Sequence, residues 1–314
     1  MSAVMELPMN PVLNHAEQLK ARLSGEAVVL AHEPLAKRTT LRVGGPADLY
    51  VEPATETDLA LTLAFVREQS LPMFILGRGS NLLVRDGGVR GVVLCLNRPE
   101  FTRVTVDGER LHCGAGAKLN EVANTARRHG LGGLEFLEGI PGSIGGAMRM
   151  NAGAYGGEMF QCLESLRFMD HSGHAETVPV SAVAAQYRSC PFFKTHIALG
   201  AVLRGVPTDP AEVERRMKAC ADKRWSSQPK APSAGCAFKN PASIPAGRLI
   251  QELGLKGERV GTARVSLEHG NFIVTDKEAK AQDVLDLIEL IRQRARAERG
   301  VELETEVQII GSEL

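Results

Sequence analysis

The chain has 314 residues, of which 44% are hydrophobic and 24% are charged, and this ordinary globular mixture predicts two or three domains with a substantial core. Lys and Arg together number 37, as do Asp and Glu, so the formal net charge is zero. Because there is no basic excess and aromatic residues make up only 4%, we do not expect the chain to bind nucleic acid.

Three further features of the sequence bear on the location of the protein. No stretch approaches the roughly 18 to 20 uncharged apolar residues that a membrane-spanning helix requires, and the N-terminus lacks the basic region and apolar core of a signal peptide. The six cysteines lie far apart and form no C-x-x-C pair, which argues against a disulfide framework or a zinc site. The sequence therefore predicts a cytoplasmic protein with reduced thiols, no membrane partner and no metal.

The first predicted elements alternate between helices and short strands. Leucines and a valine recur at helical spacing in Thr55–Ser70, and Pro72 ends this segment. Met73–Leu76 is a short apolar run that predicts a buried strand, and the sequence GRGSN follows it at once. The next predicted elements are a strand at Val92–Leu96, a hairpin around Asp107-Gly108, and a helix at Lys118–His129 that ends at Gly130.

The next segment, Gly130–Gly157, is unusual because it contains ten glycines among 28 residues. A flexible linker with this much glycine would be polar, whereas hydrophobic residues separate these glycines. The segment therefore predicts a packed loop with special backbone angles, and long ordered loops of this kind usually carry function.

The rest of the chain again mixes strands and helices. We predict a hairpin of Leu166–Met169 with Thr177–Val180 and a boundary near Pro207–Pro210. The other predicted strands are Ala198–Arg204, Phe272–Thr275 and Val307–Ile310, and the predicted helices are Ala211–Arg224, Ala246–Gly254 and Gln282–Gly300. Because helices and strands do not alternate strictly, the pattern favours an α+β fold over a doubly wound sheet.

Several common motifs are absent. Gly77–Leu82 and Gly114–Leu119 begin like G-x-G-x-x-G but have leucine at the sixth position, so the dinucleotide fingerprint is not met. The chain also lacks G-x-x-x-x-G-K-[ST], G-x-S-x-G and H-E-x-x-H. Two glycine-rich turns remain, Gly77–Asn81 and Ile140–Gly146, and successive backbone amides in such turns form anion sites. Together they favour binding of the two phosphates of a large dinucleotide without a Rossmann fold.

Seven blocks stand in a specific order along the chain: LRVGGPADLYVEP, ILGRGSNLLVRDGG, GLEFLEGIPGSIGGAMRMNAGAYGGE, YRSCPFF, SAGCAFKNP, LEHGNFIV and LETEVQIIG. Their order resembles that of the UDP-N-acetylenolpyruvoylglucosamine reductase family. The resemblance covers roughly Arg38 to Gly311, and the spacing between blocks is similar to that of the shorter (type II) form of the family.

The resemblance implies a fold and a cofactor. The family binds FAD non-covalently in a two-lobed α+β domain of the vanillyl-alcohol-oxidase (PCMH) type, followed by a C-terminal α+β substrate domain. The implied division is an N-terminal helical segment at 1–37, an FAD-binding domain at 38–207 with lobes of about 38–98 and 99–207, and a substrate-binding domain at 208–314 whose last strand supplies the catalytic glutamate. The implied FAD-binding residues are Arg42, Gly77, Gly79, Ser80, Asn81, Gly142, Ser143, Gly145 and Gly146.

The resemblance also implies a reaction, that of UDP-N-acetylmuramate dehydrogenase in peptidoglycan precursor synthesis. A hydride from NADPH passes through FAD to the terminal methylene carbon of UDP-N-acetylglucosamine enolpyruvyl ether. The negative charge that develops on the carboxylate side requires positioned donors, and the adjacent carbon requires a proton from a general acid. The family's motifs assign the first role to Arg188, a catalytic carboxylate to Glu306, and substrate contacts to Tyr187, Lys239 and Asn240.

At the general acid the sequence departs from the family. The motif usually reads S-A-G-S-x-F-K-N-P, whereas here Cys236 takes the place of the second serine. A thiol with a pKa of about 8.5 is largely protonated at neutral pH and is a stronger acid than an alcohol. We therefore predict that Cys236 is a working general acid, and that it is open to oxidation and alkylation.

Two other interpretations stay open at this point. A related FAD-dependent oxidase or dehydrogenase acting on another alcohol or sugar would share the glycine turns without needing Arg188, Cys236 and Glu306 together. An inactive flavin-binding paralogue that lost turnover at Cys236 would bind FAD but would not oxidise NADPH in response to substrate. In the preferred interpretation the partners are the UDP-sugar substrate and NADPH, and the protein is a monomer.

Overall fold

The computed structural model describes residues 10–313. Within this range the helices are α1 (Pro11–Lys20), α2 (Glu56–Glu68), α3 (Pro99–Thr102), α4 (Leu119–Arg128), α5 (Ile144–Met150), α6 (Met159–Cys162), α7 (Pro210–Ser227), α8 (Ala246–Glu252) and α9 (Ala281–Arg299). Short 3-10 helices form at Leu35–Arg38, Glu135–Gly139, Val180–Ala182 and Pro191–Lys194. Several helix ends follow from local chemistry: the Thr55 hydroxyl accepts a hydrogen bond from Asp58 N at the start of α2, and Gly130 follows α4 with a φ of +65°.

The strands of the same range form six sheets, three with four or five strands and three with two strands. In chain order they are β1 (Val28–Pro34), β2 (Pro46–Glu52), β3 (Met73–Ile75), β4 (Leu82–Val84), β5 (Val89–Leu94), β6 (Val104–Asp107), β7 (Arg110–Gly114), β8 (Leu131–Gly132), β9 (Gly153–Ala154), β10 (Gly157–Glu158), β11 (Leu163–Asp170), β12 (Ala175–Pro179), β13 (His196–Arg204), β14 (Val206–Pro207), β15 (Ser233–Cys236), β16 (Arg259–Val260), β17 (Ala263–Val265), β18 (Phe272–Thr275) and β19 (Gln308–Ile310). The mixture of parallel and antiparallel pairing with unevenly spaced helices confirms the α+β class.

The first large sheet has the order β1-β2-β5-β3, and β5 is parallel to both of its neighbours. Leu59, Leu63 and Phe65 of α2 are buried in one core cluster with Leu49 and Val92 of this sheet. The prediction of an N-terminal helical segment over residues 1–37 needs correction. Only α1 is an α-helix among residues 10–37, and β1 is an edge strand of this sheet, paired antiparallel with β2. Residues 1–9 lie outside the described range.

The second large sheet is antiparallel with the order β12-β11-β13-β7-β6. The predicted hairpins at Asp107-Gly108 and at His171–Gly173 are present as β6–β7 and β11–β12. Val213 and Met217 of α7 are buried in the same cluster as the core of this sheet. By its packing α7 therefore belongs with the second lobe, whereas the predicted boundary at residue 208 would place it in the C-terminal domain.

The glycine-rich segment is more regular than the predicted packed loop. It contains a 3-10 helix, the strand pair β9–β10, and α5, which runs through Gly145 and Gly146. Ile144 and Met148, both 0% exposed, anchor α5 in the second-lobe core, and Asn151 ends it in the left-handed conformation with a φ of +38°. Buried apolar residues at helical spacing thus outweigh the cost of two glycines in this short helix.

The third large sheet is antiparallel with the order β15-β18-β17-β16, and α8 and α9 pack against it. Its core extends into the first lobe, because Leu41, Val43 and Leu83 are buried in the same cluster. The last strand, β19, is not part of this sheet and pairs in parallel with β4. This pairing places β19 beside the first glycine turn, which immediately precedes β4.

Candidate active site

A cleft of about 270 Å³ lies where the first lobe, the second lobe and the C-terminal domain meet. Its walls carry both predicted glycine turns together with Arg188, Cys236 and Glu306. The charged side chains on these walls are Arg78, Arg149, Arg188 and Glu306. Three guanidinium groups against one carboxylate make the cleft suited to an anionic ligand.

The first turn, Gly77–Asn81, joins β3 to β4. Gly79 has a φ of +62°, and a Cβ added there would lie 2.5 Å from Arg38 O, so both the backbone angle and the close packing require glycine. Gly77, Gly79, Ser80 and Asn81 all line the cleft, as predicted. Their presence on the wall is shown, while their contacts with a cofactor stay a prediction.

The second turn leads into α5 and faces the first turn. Gly142, Ser143, Gly145 and Gly146 line the cleft. The Ser80 hydroxyl donates a hydrogen bond to Pro141 O at 2.7 Å, which ties the two turns together. Two turns about 65 positions apart in the chain therefore meet, as binding of the two phosphates of a dinucleotide by both turns requires.

The cleft surface near the second turn fits the phosphate region of FAD. Gly142 and Gly146 both face the cleft. A Cβ added there would lie 3.5 Å from Leu119 or 3.7 Å from the Ser143 hydroxyl, which is ordinary van der Waals contact, so the protein itself leaves room for an added atom at these positions. The Ser143 hydroxyl makes no helix-capping hydrogen bond and is available as a donor. Backbone amides, a free hydroxyl and nearby arginines are the donors that a pyrophosphate requires.

This arrangement predicts opposite effects of Gly146→Ala on stability and on FAD binding. Alanine in α5 should stabilise the FAD-free protein by up to about 1 kcal/mol. The new methyl group would project into the cleft, and crowding that costs about 1–3 kcal/mol should raise the FAD dissociation constant about tenfold or more. Thermal unfolding of the FAD-free protein and FAD titration measure the two effects. In the control Gly25→Ala the methyl group would meet no atom within 4 Å, and an unchanged FAD affinity in Gly146→Ala would contradict the prediction.

Arg42 is the predicted cofactor residue that the structure does not bring to the cleft. Its side chain is exposed, its φ is +59°, and it is not among the residues of the cleft walls. Its neighbours Leu41 and Val43 are both buried in the C-terminal core. The block that contains Arg42 therefore serves to join the first lobe to the C-terminal domain, and the prediction that Arg42 contacts FAD is not supported by its position.

Arg188 and Glu306 form an ion pair on the cleft wall. Arg188 Nε lies 2.9 Å from Glu306 Oε1, and Arg188 Nη1 donates to Gly153 O at 3.2 Å. The buried Nε–H group is not aligned with the carboxylate oxygen. Arg188 has a φ of +55°, an uncommon angle for a residue with a side chain, and such angles persist where the surroundings enforce them. The surroundings thus fix the position of Arg188, while its Nε–H group makes no hydrogen bond within the protein.

Cys236 is brought close to this pair by backbone hydrogen bonds. Residues 237–239, directly after Cys236, run alongside residues 304–306: Glu306 N donates to Ala237 O at 2.9 Å, and Lys239 N donates to Glu304 O at 2.8 Å. Phe238, fully buried, forms an antiparallel bridge with Thr305 between these two bonds. Glu306 precedes β19 by two residues, so it lies in the segment leading into the last strand rather than in the strand itself.

Burial shifts the pKa values of both Glu306 and Cys236. It raises the pKa of the Glu306 carboxyl group, an effect that the charge of Arg188 partly opposes. Burial and the nearby Glu306 charge raise the pKa of Cys236 to about 12, with Arg188 acting in the opposite direction. The thiol is thus fully protonated at neutral pH, as a proton donor must be. The raised pKa lowers the thiolate fraction of Cys236 below that of an ordinary cysteine, which argues against the high reactivity that the sequence predicts, even though the side chain is partly exposed on the cleft wall.

The three predicted substrate-binding residues do not line the cleft. Tyr187 is 59% exposed, and the Arg188 guanidinium lies 5.2 Å from the centre of its ring. Lys239 pairs with Glu304 at 2.5 Å, and Asn240 Oδ1 accepts a hydrogen bond from Ala246 N at the start of α8. Lys239 and Asn240 thus have structural partners, and a role for any of the three in binding substrate stays a prediction.

Several polar residues of the cleft walls were missed as site residues, Arg78 and Asn97 among them. Arg149, His196 and Gln308 all line the walls. Arg149 lies three and four residues after Gly146 and Gly145, so it falls on the same face of α5, and its Nη1 donates to Phe193 O at 2.6 Å. That helical spacing is a signal that the sequence offered, but it becomes usable only once the segment is known to be helical.

Residues 10–313 contain neither a cluster of metal ligands nor a helix that could span a membrane. Among residues 10–313, no three His, Cys, Asp or Glu side chains come together as metal ligands would. Within the same range, none of the helices is both long and apolar enough to cross a membrane.

Comparison with known protein families agrees with this geometry. Residues 47–178 match the FAD binding domain family, and residues 228–310 match the C-terminal domain of UDP-N-acetylenolpyruvoylglucosamine reductase. The second match begins directly after α7, in agreement with the packing of that helix on the second lobe. The family matches, together with the two-lobed fold and the cleft, define an FAD-binding protein, and FAD is its cofactor.

Individual relatives identify the family within this class of FAD-binding proteins. The chain is 43% identical to UDP-N-acetylenolpyruvoylglucosamine reductase 2 of Symbiobacterium thermophilum over 94% of this chain and 96% of the relative. The reductase of Geobacter metallireducens is also 43% identical, over 94% and 98% of the two chains. The crystal structure of the Thermus caldophilus reductase superposes with a TM-score of 0.77 at 39% identity, covering 91% of this chain and 99% of that one. The chain belongs to the UDP-N-acetylenolpyruvoylglucosamine reductase family, which confirms the resemblance.

Proposed function

We propose that this protein reduces UDP-N-acetylglucosamine enolpyruvyl ether to UDP-N-acetylmuramate with NADPH as the hydride donor. The observation that carries the proposal is the meeting of Arg188, Glu306 and Cys236 on one wall of the cleft that also holds both glycine turns. Such a meeting is required to reduce a polarised double bond beside a bound dinucleotide. An oxidase that removes hydride from a simple alcohol would not need these three groups together.

Bound non-covalently, FAD would supply hydride transfer from NADPH to the terminal methylene carbon of the substrate. Arg188 then stabilises the negative charge that the double-bond electrons carry towards the substrate carboxylate. Cys236 gives its thiol proton to the adjacent carbon, which completes the addition of one hydride and one proton. Glu306 holds Arg188 in place. The thiolate left on Cys236 takes a proton from solvent, directly or through the Glu306 carboxyl group, whose raised pKa suits it to carry a proton, and the thiol is restored.

The domain roles follow from the same proposal. The two lobes bind FAD, and residues from about 228 onward supply Cys236 and Glu306 and receive the UDP-sugar. We infer that a monomer suffices, because every group assigned a catalytic or cofactor role comes from one chain. We place the reaction in the cytoplasm, because all six cysteines are unpaired, as is usual for proteins of a reducing compartment.

An anaerobic two-step experiment tests the proposal. The FAD-loaded protein is reduced with one equivalent of NADPH, the enolpyruvyl ether is added, and the flavin absorbance is followed. Rapid return of the oxidised spectrum is the expected result. A flavin that is reduced by NADPH but never reoxidised by this substrate would contradict the proposal and favour an inactive paralogue. Rapid oxygen consumption with a simple alcohol would favour the oxidase.

A further inference from the structure

The buried side chain of Asn271 is bonded to the chain that follows Cys236. Asn271 is 2% exposed and lies just before β18. Phe238 N donates to Asn271 Oδ1 at 2.9 Å, and Asn271 Nδ2 donates to Phe238 O at 2.8 Å. Ala237 N donates to the main-chain oxygen of Asn271 at 2.7 Å. Three hydrogen bonds thus join one residue to the two positions after the proposed acid.

These three hydrogen bonds lie at the end of the regular pairing between β15 and β18. The pairing of β15 with β18 is irregular between Ser233 and Cys236, and Gly235 in this gap has a φ of +77°. Beyond Cys236 the amide side chain of Asn271 takes the place of a strand partner, because it offers one donor and one acceptor as a peptide group does. Without it, the N–H and C=O groups of the fully buried Phe238 would lose their partner.

The same short stretch also holds Glu306. Ala237, bonded to Asn271 on one side, accepts a hydrogen bond from Glu306 N on the other side at 2.9 Å. The backbone segments at Asn271, Ala237–Phe238 and Thr305–Glu306 therefore lie side by side in that order. A shift of the middle segment would move Cys236 directly, and it would move Glu306 through the hydrogen bond from Glu306 N to Ala237 O.

We propose that Asn271 is a positioning residue that sets the location of the Cys236 thiol relative to Glu306 and Arg188. The proposal rests on the proposed function for its catalytic consequence. A displacement of about 1 Å at a reacting group can lower a rate about 10²-fold. The proton-transfer step should therefore depend on Asn271, whose side chain hydrogen-bonds to the backbone of Phe238 and also lies within hydrogen-bonding reach of the Cys236 thiol.

Asn271→Asp is the principal test, since it keeps the shape and the acceptor, while its ionised form replaces the donor to Phe238 O with a second acceptor and adds a negative charge near Cys236. We expect flavin reoxidation by the enolpyruvyl ether to slow about 10- to 100-fold. We also expect flavin reduction by NADPH, FAD affinity and the KM for the UDP-sugar to stay within about twofold, and amide hydrogen exchange to quicken in residues 236–238 and 304–307. Asn271→Ser, which keeps a shorter donor and acceptor and adds no charge, is measured in the same way, and a similar slowing in both variants assigns the effect to position rather than to charge.

Thr275→Val, at the far end of β18 from Asn271, is the matched control. Thr275 is 4% exposed, and its hydroxyl donates to Leu41 O at 2.8 Å, so the variant also loses a buried hydrogen bond, but one far from Phe238 along the strand. Equal losses of rate in the Asn271 and Thr275 variants, or an unchanged rate in the Asn271 variants, would overturn the proposal. If the wild-type protein does not reoxidise with this substrate, the proposed function fails. Hydrogen exchange then decides alone: quickened exchange in residues 304–307 supports the positioning role, and unchanged exchange refutes it.

Discussion

Cys236→Ala should lower the rate of flavin reoxidation by the enolpyruvyl ether about 10²- to 10⁴-fold, the usual contribution of a general acid. The reason is that the alanine variant offers no proton at the position beside Glu306, while Arg188 still polarises the substrate. Flavin reduction by NADPH should stay unchanged, because no proton from this side chain enters that step. Anaerobic stopped-flow measurement of the two half-reactions separates the two effects.

Cys236→Ser and Cys220→Ala are the controls for this prediction. Serine restores the family's usual residue and should keep the reoxidation rate within about tenfold of the wild type, since a hydroxyl group can also deliver a proton. Cys220, a free thiol on α7, does not line the cleft, so its replacement should have no effect. An alanine variant at Cys236 as fast as the wild type would remove this residue from the mechanism.

The raised pKa of Cys236 adds a pH signature to the same measurement. A general acid works while it is protonated, that is, at pH values below its pKa. With a pKa of about 12, the wild-type reoxidation rate should show no loss from thiol ionisation between pH 7 and pH 9. A decline centred near pH 8.5 would instead indicate a thiol with an ordinary pKa.

Arg188→Met should slow flavin reoxidation about 10²- to 10³-fold, because a positioned donor to developing negative charge contributes about that much. The substitution also removes the charge that partly opposes the effect of burial on Glu306. The pKa of Glu306 should therefore rise further, and any acid-side loss of rate should move to higher pH. Rate against pH for the reoxidation step, measured for the variant and the wild type, checks both expectations.

Arg248→Met is the matched control for the arginine prediction. Arg248 also pairs with a glutamate, Glu252 at 2.8 Å, but on the exposed surface of α8 and away from the cleft. This variant should keep both half-reactions. If Arg188→Met slowed reduction by NADPH as much as reoxidation, Arg188 would act on the cofactor or on protein stability rather than on the substrate carboxylate.

Local sequence chemistry determined the parts of this protein that depend on neighbouring residues. Thr55 caps α2, Gly130 ends α4, and the turn containing Gly79 requires a positive φ angle that glycine accepts. The stop at Gly130 was predicted, because a helix end depends on backbone geometry within a few residues. The order of the motif blocks likewise gave the family, the cofactor and the chemical identity of the candidate groups.

The least accurate predictions concerned segments whose structure depends on distant partners. The edge strand β1 is half-exposed and gains its conformation from pairing with β2. The helix α5 forms through two glycines because Ile144 and Met148 reach a core made by other elements. The helix α7 packs on the second lobe, although a proline-rich stretch before it suggested a boundary. In each case tertiary packing outweighs local preference.

Only the tertiary structure decided how the site is assembled. Arg188, Cys236 and Glu306 come from three separate stretches, and they meet because residues 237–239 lie against residues 304–306 and because β19 pairs with β4. The same packing leaves Arg42 outside the cleft, brings Arg149 onto its wall, and buries Cys236 enough to raise its pKa to about 12. A sequence motif specifies which chemical groups are present, whereas their distances and their exposure to water arise from contacts between residues far apart in the chain, and these two quantities determine what the groups can do.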